Sequence, residues 1–144
     1  MLNNSQLTNI LREKGYKVTP QRLAIYEALA SRPWHPSAEM LYKELKPNFA
    51  AMSLATVYKN MELLTDLELV KVLSTGEDSF RYDADMRDHH HVQCSCCGEI
   101  HDIFLADTGA SLDSEVTAET GYQIKGREFY FFGLCPKCAA AKKH

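Results

Sequence analysis

Apolar residues recur at helical spacing through the first sixty or so positions and change rhythm afterwards. Leu7, Ile10 and Leu11 form one apolar stripe, which Gly15 ends. Thr19-Pro20 starts a second helix, with Thr19 as N-cap, Pro20 in the first turn, and Leu23, Tyr26, Leu29 and Ala30 on one face. Pro36 opens a third helix with Met40, Leu41 and Leu45 inward, and Pro47 stops it. Ser53 caps a fourth: Leu54, Val57, Met61 and Leu64 line one face, and Thr56, Lys59 and Asn60 stand on the other. Residues 69–73 and Phe80–Asp83 then read as short strands, joined as a hairpin by the polar residues 74–79 with Gly76. Helices followed by a small hairpin predict a winged helix-turn-helix, whose last helix enters the major groove.

From about Ala84 the apolar pattern thins and His, Cys and Asp cluster. Strand-like runs over 100–105 and 128–134 flank an expected helix over 107–120, capped by Asp107 and ended by Gly121. Its apolar stripe, Leu112 and Val116, is meagre, so this unit needs another surface to bury its core. The expected fold class is α+β: a winged helix-turn-helix domain over residues 1–83, then a small α/β domain over 84–144.

Composition narrows the function classes. At 144 residues, 45% hydrophobic and 24% charged, the chain fits a globular protein rather than a disordered one. It has no apolar run of membrane-spanning length, and its first residues lack a signal-peptide pattern, so a cytoplasmic location is expected. Thiols stay reduced there, and five cysteines then point to metal rather than disulfides. The net charge of −3 conceals an asymmetry. Residues 1–60 carry eight Lys/Arg against four Asp/Glu, and the remainder carries eight against fifteen. A basic helical half on an acidic chain suits contact with a polyanion through that half alone.

Cys94-Ser95-Cys96-Cys97 and Cys135-Pro136-Lys137-Cys138 contain two C-x-x-C pairs. Cys94, Cys97, Cys135 and Cys138 offer four thiolates to one tetrahedral Zn²⁺, a closed and therefore structural site. Cys96 falls outside this spacing. His89 and His91 share a face of an extended segment and can reach one metal together, with His35, Asp83 and Asp102 as further partners. Such nitrogen and oxygen donors suit Fe²⁺ or Mn²⁺; the competing reading of the triplet is a solvated polar turn with one core histidine. His101 and His144 read as surface histidines. On the fourth helix Ser53, Thr56, Tyr58, Lys59 and Asn60 are candidates for DNA contact, with Lys14 and Arg22 for backbone or minor groove. Tyr58 equally fits core packing beside Val57 and Met61.

These motifs converge on a resemblance. Val18-Thr19-Pro20-Gln21-Arg22, His35-Pro36-Ser37-Ala38-Glu39, residues 53–60, Asp88-His89-His90-His91, residues 94–98 and the terminal Cys135/Cys138 pair resemble, in order and spacing, the ferric uptake regulator family. The resemblance implies a homodimer with a C-terminal dimerisation domain and metal-dependent binding to inverted-repeat operators. The chain is most similar to the peroxide-sensing repressors of that family, which implies a regulatory metal on His35, Asp83, His89, His91 and Asp102. It also implies iron-catalysed oxidation of a ligand histidine, His35 or His89. Arg127 stands where some members place a histidine of a further metal site. The readings to be separated are a peroxide-sensing repressor, an iron- or manganese-responsive uptake repressor, a metal-dependent hydrolase and a zinc-ribbon module that binds protein only. No general base or substrate loop accompanies the ligands, which favours a regulator over an enzyme.

Overall fold

The computed structural model describes residues 1–74, 80–107 and 109–141. The expected hairpin turn around Gly76 and the terminal His144 lie outside the described residues. The internal contacts of the chain divide it into two compact units, Met1–Arg87 and Asp88–His144.

The first unit opens with four helices: α1 (Asn4–Glu13), α2 (Pro20–Ala30), α3 (Ala38–Leu45) and α4 (Leu54–Asp66). Each begins at a side-chain cap. Asn3, Thr19, Ser37 and Ser53 accept from the backbone N–H of Gln6, Arg22, Met40 and Thr56 respectively, satisfying a donor left open at the helix start. Gly15 follows α1 with φ +79, a left-handed conformation that favours glycine. The third helix starts later than Pro36 suggested, because Ser37 rather than Pro36 supplies the cap. Its inward residues are Ala38, Leu41 and Leu45, whereas Met40 is exposed. α3 packs on α2 and α4, and α1 on α2. Leu7, Leu11, Ile25, Leu41, Val57, Met61 and Leu64 are all fully buried in one core. Strand β1 (Lys71–Ser74) pairs antiparallel with β2 (Phe80–Asp83), from Lys71 opposite Asp83 to Ser74 opposite Phe80. β1 begins two residues beyond the start expected for it. Helices plus this hairpin form the expected winged helix-turn-helix.

The second unit holds a three-stranded sheet in the order β4-β3-β5. β3 (His90–Cys94) is central; β4 (Ile100–Ile103) pairs with it antiparallel and β5 (Tyr130–Gly133) pairs parallel. The histidine-rich segment is therefore the middle of the sheet, a strand that apolar periodicity did not reveal. The flanking strands are shorter than the runs over 100–105 and 128–134. Helix α5 (Ala110–Thr120) runs to Gly121 as expected but starts after Asp107, whose carboxylate accepts from Gly109 N–H in a turn. A last short helix, α6 (Pro136–Ala141), was not anticipated. Among the described residues no helix is long and apolar enough to cross a membrane.

Candidate metal centres and nucleic-acid interface

The four cysteines come from two stretches of the second unit. Cys94 ends β3, Cys97 lies in the following turn, Cys135 precedes α6 and Cys138 lies within it. The turn is fixed by Gly98 N–H to Cys94 O (2.9 Å), and it joins the β5 end through Ser95 N–H to Gly133 O (2.7 Å). The four sulfurs lie within 4.8 Å of one another, with Cys97 and Cys135 at 3.9 Å. A tetrahedral Zn²⁺ with bonds of about 2.3 Å needs sulfurs about 3.8 Å apart, so the cage fits.

Its electrostatics agree. Backbone N–H groups at Cys135 and Cys97 lower the Cys94 thiol to about 6, while its neighbour Cys135 raises Cys138. Four thiols this close cannot all ionise without a cation among them. Cys96 is exposed and stands outside the cluster of four.

The histidine and aspartate donors fall into two sets, one in each unit. In the first unit, β2 clips the loop after α2. Tyr82 N–H donates to Pro36 O (3.0 Å) and Arg81 Nη1 to His35 O (2.8 Å). These bonds bring His35 Nε2 to 3.4 Å from Asp83 Oδ2, both residues buried. In the second unit His91 sits directly across the β3–β4 ladder from Asp102. Asp102 Oδ1 lies 3.3 Å from His91 Nε2 and 3.1 Å from His89 Nε2, and the two rings are 4.6 Å apart. Both imidazoles are buried. A carboxylate oxygen and two imidazole nitrogens converging without a thiolate make a set suited to Fe²⁺ or Mn²⁺.

The other histidines play different parts. His90 turns aside and accepts from Phe129 N–H (3.0 Å), and exposed His101 pairs with Glu99. Arg127 is held by Asp113, with Nε donating to Oδ1 at 2.7 Å, which also holds that carboxyl below its usual range.

The candidate DNA-contact residues divide by exposure. Lys14, Ser53, Tyr58 and Lys59 are exposed. Ser53 Oγ and half-buried Thr56 are joined within the α4 cap. Asn60 is only 6% exposed: its oxygen accepts from Arg22 Nε (2.8 Å), and its amide donates to Thr56 O (2.8 Å). In this arrangement Asn60 ties α2 to α4 and presents nothing outward, so it supports the surface rather than forming it. Tyr58 is 43% exposed, which excludes the core-packing alternative. Its hydroxyl donates to Glu39 Oε1 at 2.6 Å, a partner 19 positions away that no local pattern marks. That bond holds Glu39 below the usual carboxylate range and raises the Tyr58 phenol.

Known proteins share this sequence pattern and fold. The model of the ferric uptake regulator family matches residues 13–132. The transcriptional regulator PerR of Clostridium acetobutylicum is 41% identical over 134 residues, covering 93% of this chain and 96% of its own. The peroxide operon regulator of Bacillus subtilis is 37% identical over 136 residues, covering 93% and 92%. The solved ferric uptake regulator of Vibrio cholerae superposes with a TM-score of 0.75 at 30% identity, covering 90% of this chain and 99% of that one.

Proposed function

The chain belongs to the ferric uptake regulator family of metal-dependent, DNA-binding transcriptional regulators, which are not enzymes, and on that premise we propose that it is a homodimeric repressor released from DNA by hydrogen peroxide. The observation that carries the reading is the convergence of His89 and His91 on Asp102 in a buried, thiolate-free set. The peroxide branch is supported by two relatives of 41% and 37% identity that are named for PerR and for a peroxide operon.

In this reading Cys94, Cys97, Cys135 and Cys138 hold a structural Zn²⁺. His35 and Asp83 supply two donors, and His89, His91 and Asp102 supply three, to one divalent ion, Fe²⁺ or Mn²⁺. Because the donors come from both units, the ion is bound best in one mutual arrangement of them, and that differential affinity is the coupling. The dimer in that arrangement reads an inverted repeat, with Tyr58 and Lys59 toward bases and Lys14 and Arg22 toward the backbone. A ferrous ion held by these residues would supply the redox chemistry toward hydrogen peroxide, with no net change in its own oxidation state. Over the whole reaction a ring C–H of His35 or His89 becomes C–OH while one peroxide is reduced to water. The altered imidazole is a poorer donor, the donor set fails, and the arrangement that fits DNA is no longer favoured.

The test uses inverted-repeat duplexes selected from a random pool by the Mn²⁺-loaded protein. Binding should vanish on chelation, return with Mn²⁺ or Fe²⁺, and be lost after dilute peroxide only in the Fe²⁺ form. Binding that depends on metal but ignores peroxide in both forms assigns the protein to metal-uptake control. Binding indifferent to chelation contradicts the metal-dependent reading.

A further inference from the structure

Glu39 and Tyr58 share a hydrogen bond at the surface of the first unit that the proposed DNA contacts do not use. Glu39 stands in the first turn of α3, just after the Ser37 cap, and Tyr58 in the second turn of α4. α3 packs on α4, and both side chains remain exposed. The hydroxyl and the carboxylate are 2.6 Å apart. The carboxylate lies below its usual range and the phenol above its own, with this bond the largest cause of each. At neutral pH the proton therefore sits on the phenol, and Tyr58 is the donor. A tyrosine hydroxyl has a single proton, while its oxygen can also accept. With that proton committed to Glu39, the hydroxyl has only an acceptor left to offer.

We propose that Glu39 sets the base preference of Tyr58 by holding its hydroxyl proton. In the major groove, adenine N6 and cytosine N4 offer N–H donors, whereas thymine O4 and guanine O6 are acceptors. An acceptor-only phenol pairs with the first two and sets a lone pair against the second two. Without Glu39 the hydroxyl turns freely, donates or accepts, and pairs with either kind. Glu39 is thus a positioning residue that acts through Tyr58. The inference rests on the reading that Tyr58 faces bases. The Glu39 carboxylate also brings a negative charge toward a polyanion, which weakens binding to every duplex alike; base preference separates the two effects.

The experiment uses the full chain, loaded with zinc and Mn²⁺, as wild type, Tyr58→Ala, Tyr58→Phe, Glu39→Ala and Glu39→Gln. Fluorescence anisotropy at fixed salt reads binding to the selected duplex with each of the four base pairs placed in turn at every position of a half-site. Wild type should favour adenine or cytosine over thymine or guanine at one position of one strand by about 3- to 10-fold, the range of a single hydrogen bond. Tyr58→Ala, Tyr58→Phe and Glu39→Ala should flatten that preference. Glu39→Gln, whose amide oxygen still accepts the proton, should keep it. Both Glu39 variants should tighten binding to all duplexes by a similar factor, since each removes the charge. If Tyr58→Ala weakens all duplexes equally, Tyr58 does not face bases, and the reading beneath the inference fails. If Tyr58→Ala flattens the preference while Tyr58→Phe or Glu39→Ala keeps it, the base-facing reading stands and the role of Glu39 is excluded. Loss of the preference in Glu39→Gln as well as Glu39→Ala reduces Glu39 to its charge and also overturns the proposal.

Discussion

The first unit buries an apolar core of its own, and the second does not. Every member of the apolar core cluster lies between Leu7 and Ala84. In the second unit only Cys94 and Ile100 are buried apolar residues among those described, and α5 buries nothing. Phe104, Tyr122 and Phe132 are each more than half exposed there. A unit of this size has too little interior to hold itself together by apolar burial, and such units are completed by metal or by a second copy. The source of order therefore differs between the two units: apolar packing in the first and, in the proposed reading, metal ligation and association in the second.

That contrast can be broken at either end. The largest effect is expected from Cys135→Ser. A structural zinc site contributes on the order of 10 kcal/mol to folding, so zinc content and the dimer, read by metal analysis and sedimentation, should both be lost. The helical melting of the first unit should persist, and retention of zinc and dimer would contradict the contrast. Leu41→Ala removes a fully buried side chain packed in the core of the first unit, at a cost of about 2–5 kcal/mol. It should lower the melting of the helices while zinc stays bound; zinc loss here would mean the two sources of order are not separable. Asn60→Ala strips Arg22 Nε of its acceptor, and should cost about 1–3 kcal/mol together with affinity for the selected duplex. Ser53→Ala deletes the α4 cap, a loss of about 1 kcal/mol visible as a small shift in the same melting curve.

The first unit was legible in the sequence because its elements are local: caps three residues from their partners and apolar stripes at helical spacing. What failed there was fine detail, such as the exposure of Met40, which depends on which neighbour α3 faces. In the second unit, spacing alone picked out the four cysteines whose sulfurs the fold gathers. The strand carrying His91 buries polar side chains and so leaves no apolar alternation; only the alternation of its histidines marked it as extended. The contact of Glu39 with Tyr58 arises between residues 19 positions apart in the chain, where periodicity carries no information.

The claim that most needs testing is that the His/Asp donors form an iron-loaded peroxide sensor. The direct measurement is peptide mass spectrometry of the Fe²⁺-loaded and Mn²⁺-loaded protein after dilute peroxide, alongside binding to the selected duplex. The account predicts a gain of one oxygen atom on the His35 or His89 peptide in the iron form only, rising in step with loss of DNA binding, while the four zinc-site cysteines stay unmodified. Unmodified histidines in an iron-loaded protein that has nonetheless released its DNA would contradict it.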